Sequence, residues 1–162
     1  MSEKRAYITI LGRSLWALSN AYYAVLVQKS FFPDVVHIFT EEIFLKDLPK
    51  AEKAIKVLSE EFGFVPEIQT HISKEAEFFS AGVEVSELIK KLRSEGYRIA
   101  IDITPGRKAL VVALLIPAMK QKIDHLFYLA VKKLEEKPYM MIPLANQELK
   151  DFIEEAEKHA KK

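Results

Sequence analysis

The stretch Asp102-Ile-Thr-Pro-Gly-Arg-Lys108 gathers a carboxylate, a hydroxyl, a glycine and two adjacent cations. It lies between an apolar, strand-like run at 97–101 and a very apolar, helix-like run at 109–119. A helix start leaves its first amides unpaired and carries the positive end of the helix dipole, so such a turn suits a phosphate-bearing ligand. Thr104 offers a hydroxyl, Gly106 an amide in a tight turn, Arg107 a planar fork and Lys108 a mobile point charge. Cations in the first turn of a helix are disfavoured by about 0.3–1 kcal/mol each, and two in a row point to an anion nearby. Gly12-Arg13-Ser14 is a similar turn after the first apolar run. Gly12 permits close approach of a ligand to the backbone, and Ser14 sets a hydroxyl at a helix N-terminus. The plainer readings stand beside these: Ser14 as a helix cap, Gly12 and Gly106 as turn glycines, Arg107 and Lys108 as solvated charges.

The elements that must position these turns follow from periodicity. Strands are expected at 6–11, 35–40, 66–72, 97–103 and 124–131, with a further, antiparallel strand at 139–143. Helices are expected at 15–28, 48–62, 83–92, 107–121 and 146–158, with 73–81 a loop. Gly63 and Gly96 are stop signals, and Pro117 kinks or closes its helix. The alternation predicts one α/β domain over 1–162: a Rossmann-like, mostly parallel sheet of about six strands with helices on both faces. In such sheets the ends of the first and fourth strands lie side by side at the switch point, which brings the two polar turns together.

Composition narrows the chemistry. With 24 basic and 23 acidic residues among 162, overall charge does not recruit a polyanion, so a local cluster must. The absence of cysteine excludes disulfides, thiolate catalysis and thiolate zinc sites. His37, His71, His125 and His159 show no metal-ligand spacing, and no metal or cofactor is implied. Glu41-Glu42 and Glu60-Glu61 read as solvated faces or helix-end charges. Walker A, G-x-G-x-x-G and G-x-S-x-G motifs are missing. The charged N-terminus and the shortness of the 109–119 run predict a soluble, cytoplasmic protein without a membrane partner.

Both turns together resemble those of the CRISPR-associated Rossmann fold (CARF) family. That family carries a glycine- or serine-containing turn after its first strand, matched by Leu11-Gly-Arg-Ser-Leu15. It also carries Asp/Asn-x-Ser/Thr-x-x-x-Arg/Lys after its fourth strand, matched by Asp102, Thr104 and Lys108. Pro105 departs from a frequent glycine and removes one amide donor. The resemblance implies a homodimer that binds cyclic oligoadenylate, the messenger of type III CRISPR antiviral defence, across its two-fold axis, and no DNA. A cyclic tetra-adenylate has matching symmetry, and the dimer doubles the charge of Arg13, Arg107 and Lys108. The chain resembles stand-alone members, which implies a ring nuclease that cleaves the messenger without metal through attack of a ribose 2′-hydroxyl. In that reading Ser14 and Lys108 are catalytic, while Gly12, Arg13, Asp102, Thr104, Pro105, Gly106 and Arg107 bind the ligand. A non-catalytic cyclic oligoadenylate sensor and an unrelated Rossmann-like nucleotide-binding protein are the alternatives.

Overall fold

Alternate residues of the central strands face two different cores. The computed structural model describes residues 2–132 and 141–161. Along the chain come β1 (Arg5–Leu11), α1 (Leu15–Lys29), β2 (Val35–Glu41), a 3-10 segment (Glu42–Asp47), α2 (Leu48–Glu61), β3 (Glu67–Ser73), α3 (Phe78–Ser94), β4 (Arg98–Asp102), α4 (Lys108–Ala118), β5 (His125–Val131), a 3-10 turn (Leu144–Asn146), β6 (Gln147–Asp151) and α5 (Phe152–Ala160). They form one sheet in the order β3-β2-β1-β4-β5-β6. The first five strands are parallel, and β6 runs antiparallel to β5. The α/β architecture expected from the sequence is the one that forms.

In β1, Ala6, Ile8 and Ile10 face α3 and α4, whereas Tyr7 and Leu11 face α1 and α2. Each fully buried aliphatic side chain contributes about 1.5–3 kcal/mol through the water it releases. Burial on both faces requires helices on both, which is why the strands read as continuous apolar runs. Left-handed glycines end α2 and α3, Gly63 at φ +78° and Gly96 at φ +81°. There the amides of Phe64 and Tyr97 return to Ser59 and Leu92, and the chain re-enters the sheet. The chain runs outward from β1 through β2 to β3, then returns to place β4 on the other side of β1. The gap between β1 and β4 is the topological switch point.

Two stretches differ from the sequence expectation. Helix α3 begins at Phe78 instead of Val83, and only 74–77 remain as loop. Gly82 looks like a turn residue, yet a Cβ there would sit 2.4 Å from the Ala113 carbonyl oxygen. Its small size is what lets α3 and α4 cross closely. The last strand occupies 147–151, not 139–143, and the terminal helix starts at Phe152 instead of Asn146. Residues 139–140 of the expected strand lie outside the described residues, and 141–143 are not strand. Gln147, Leu149 and Asp151 alternate inward with burial of 4%, 9% and 3% exposure, a period of two that two polar inward side chains hid. Asp151 then caps α5, accepting from the amides of Ile153 and Glu154.

Candidate site at the ends of β1 and β4

The two turns meet. Arg13, Ser14, Ala17, Thr104, Pro105, Gly106, Arg107 and Lys108 line one open recess of about 400 Å³. It lies at the carboxyl ends of β1 and β4, where α1 and α4 begin. Ser14 caps α1: its Oγ accepts from the Ala17 amide at 3.1 Å. Capping uses a lone pair, so the hydroxyl hydrogen stays free to donate to an anion. Arg13 and Lys108 are exposed, and among the described residues neither forms an ion pair.

Other expected site residues take different places. Asp102 is fully buried beneath the turn and does not line the recess. Its Oδ1 accepts from the Thr104 amide at 3.0 Å and the Thr104 hydroxyl at 2.6 Å, and its Oδ2 from the Thr9 hydroxyl at 3.1 Å. From there it shapes the turn. Burial raises the Asp102 pKa, and the Thr104 hydrogen bonds oppose the rise. Tyr7, packed below, has its pKa raised well above the ordinary value by burial first and the Asp102 charge second. The Tyr7 hydroxyl falls outside hydrogen-bonding geometry to every described partner.

Thr104 is also committed to the fold. Its Oγ1 donates to Asp102 and accepts from the Leu129 amide at 2.9 Å, so its hydroxyl hydrogen is not available to an anion. Gly12 is buried, and a Cβ on it would stand 2.5 Å from the Pro105 carbonyl oxygen. Gly12 admits the opposite turn, where the sequence suggested a ligand. A Cβ on Gly106 would meet Ile10 Cδ1 at 2.7 Å and Val111 Cγ2 at 2.6 Å, so this glycine answers to packing and not to a left-handed backbone. Pro105 is buried and supplies its carbonyl to that contact.

Arg107 faces the recess but is not free. Its Nη1 lies 3.1 Å from both carboxylate oxygens of Glu41, and its guanidinium stands over the Phe78 ring at 5.7 Å. Glu41 is only 1% exposed, which corrects, for Glu41, the reading of Glu41-Glu42 as solvated faces or helix-end charges. Pairing with a cation makes such burial tolerable. Sequence reasoning missed Glu41 because its partner lies 66 positions away. The signal available was its place at the end of a mostly apolar strand.

The histidines also gather more than their spacing suggested. His37 Nδ1 lies 2.9 Å from His71 Nε2, and His71 Nδ1 2.8 Å from Glu84 Oε1. Burial first, and the neighbouring His71 second, lowers the His37 pKa to about 4. This chain of groups spans β2, β3 and α3, away from the recess. Among the described residues no set of three histidine or acidic side chains could hold a metal ion, and no helix is long and apolar enough to cross a membrane.

What the fold and recess define is a Rossmann-like domain with an anion-suited cleft at its switch point. No family model and no curated protein matches the sequence. Solved structures do share the fold. Can2 from Sulfobacillus thermosulfidooxidans, in complex with cyclic tetra-adenylate, superposes with a TM-score of 0.57 at 11% identity over 76% of this chain. A type III CRISPR defence DNA nuclease activated by cyclic oligoadenylate gives 0.63 at 13% identity over 82%. Enterococcus italicus Csm6 bound to cyclic hexa-2′-fluoro-hexa-dAMP gives 0.56 at 14% identity over 80%. This chain spans 31%, 19% and 34% of their respective lengths. At such identities the likeness is one of fold alone.

Proposed function

We propose that the chain binds cyclic oligoadenylate, with cyclic tetra-adenylate the favoured ring, as a homodimer in a type III CRISPR setting. The observation that carries this reading is the junction of two turns: Arg13 and Ser14 meet Thr104–Lys108 in one recess. Two helix starts and two exposed cations converge there, which suits the phosphodiesters of such a ring. Three solved proteins of the same fold bind, or are activated by, cyclic oligonucleotides. Helix α4 leaves the recess with apolar residues on every side. Leu110, Leu114 and Ala118 pack inward, while Val112, Ile116 and the following Met119 are 54%, 61% and 59% exposed. A second copy packed on that face would cover these side chains and set two recesses against one two-fold ring.

The same reading extends to cleavage without a metal ion. A ribose 2′-oxygen attacks the adjacent phosphorus, the bond to the 5′-oxygen breaks, and the 2′-hydroxyl proton ends on that leaving oxygen. Linear di-adenylates with 2′,3′-cyclic phosphate ends result. Lys108 would stabilise the phosphorane charge, and Ser14 would orient the phosphate or the 2′-hydroxyl. One observation favours binding without cleavage: among the described residues no histidine or carboxylate side chain lines the recess, so none of them offers a general base there.

Incubation with cyclic tetra-adenylate, followed by mass spectrometry and sedimentation, tests both levels. Di-adenylate products with a cyclic phosphate mark the nuclease. Intact ring bound at one per dimer marks the sensor. No binding at micromolar concentration, or a monomer that binds fully, refutes the proposal. Replacing Lys108 by Ala should abolish cleavage while retaining binding.

A further inference from the structure

Behind the wall of the recess sits a charge that no part of the cleavage scheme uses. Glu41 ends β2 at 1% exposure and holds Arg107 Nη1 with both oxygens at 3.1 Å. Glu41 Oε1 also accepts the Ala76 amide at 3.1 Å. Ala76 adopts a left-handed backbone, φ +64°, in the loop that delivers Phe78 beneath the Arg107 guanidinium. Three residues from two segments thus fix one side chain on the recess wall. Arg107 lines the recess and Glu41 does not.

We infer that Glu41 is a positioning and specificity-setting residue of the anion site: it aims the Arg107 fork while cancelling its charge. This rests on the reading of the recess as that site. Among the described residues three cations line the recess, and of these Arg13 and Lys108 have no carboxylate partner while Arg107 is paired. Arg107 contributes directional N–H donors from a pair that is already neutral. Two free charges on each subunit suit singly charged phosphodiesters spread along a strand. A densely charged phosphate would meet the Glu41 carboxylate just behind the fork and gain little from it. Glu41 thereby lowers affinity for free polyphosphates that would otherwise fill a cationic recess.

The test uses the full chain and two probes, inorganic tripolyphosphate and cyclic tetra-adenylate, titrated across a range of sodium chloride. Glu41→Gln keeps shape and an acceptor oxygen but removes the charge. Tripolyphosphate should then bind about tenfold more tightly, and its affinity should fall more steeply with salt than in wild type, as for one added charge contact. A merely structural role would weaken binding without steepening that slope, and that result overturns the inference in a folded variant. Should Glu41→Gln fail to fold, Glu41→Gln/Arg107→Gln removes both members of the pair. Its tripolyphosphate affinity should fall while its salt slope stays at the wild-type value. A slope shallower than that of wild type would show Arg107 to be a free cation and sink the idea. Tripolyphosphate binding with these slopes but no cyclic tetra-adenylate binding would overturn the proposed function and leave the role of Glu41 intact. Failure of wild type to bind either probe would overturn both.

Discussion

Replacing Gly12 by Ala separates two roles that the sequence leaves merged. The new Cβ would lie 2.5 Å from the Pro105 carbonyl oxygen, about 0.9 Å inside an ordinary carbon–oxygen contact. The opposing atom is backbone, and its turn is pinned by the Thr104 bonds to Asp102 at 2.6 and 3.0 Å and by the Leu129 amide at 2.9 Å. Relief must come from parting the two turns. Overpacking of this kind costs about 1–3 kcal/mol, which for a domain of this size lowers Tm by roughly 2–12 °C. Because the parted turns are the walls of the recess, affinity for cyclic tetra-adenylate should fall at least tenfold, about 1.4 kcal/mol. Gly106→Ala is the internal control. Its Cβ meets the ends of the Ile10 and Val111 side chains, which can rotate, so its Tm loss should be the smaller of the two. Thermal unfolding by circular dichroism and equilibrium binding measure both effects. A Gly12→Ala protein with unchanged Tm and unchanged affinity would refute the contact between the turns, and with it the recess as built.

Other expectations concern the buried polar groups. Thr104→Val removes the donor to Asp102 and leaves the Leu129 amide unpaired, so stability should fall by about 2–4 kcal/mol. Thr104→Ser should restore most of the loss, and chemical denaturation would show it. Acid should destabilise the fold through His37. Its folded pKa of about 4 lies below the ordinary 6.5, so between these values the unfolded chain binds a proton that the folded chain does not. Stability from this group is therefore full above pH 6.5 and declines as pH falls toward 4, by on the order of 2–3 kcal/mol. Asp102 works in the opposite sense, since its raised pKa favours the folded state as pH drops. His71, Glu84, Glu67 and Lys91 surround His37 and modulate the same window. Denaturant unfolding at a series of pH values should show the decline in wild type and a flatter profile in His37→Phe. An equal slope in both would remove His37 as its cause.

Local pattern was enough to find five strands, the alternation of elements and both polar turns. Those features depend on neighbours in sequence: buried strands read as apolar runs, and glycine with polar residues marks where they end. The misplacement of β6 has a local cause too, because Gln147 and Asp151 point inward as polar residues and break the hydrophobic alternation. The start of α3 was hidden by the polar and aromatic make-up of 73–81, and the size of Gly82 answers to α4 some 31 positions away.

Which side chains of the two turns are available to a ligand was a different matter. Asp102, Thr104 and Arg107 carry the right chemistry, yet each is engaged by a residue from another strand or turn. Ser14, Arg13 and Lys108 keep donors or charge to offer. The identity of these residues is written in the chain. Their freedom is decided by partners 66 residues off for Arg107, 25 for Thr104 and 93 for Asp102. A hydrogen bond or ion pair uses up a group only when the fold brings its partner within about 3 Å, and no local rule of sequence contains that distance.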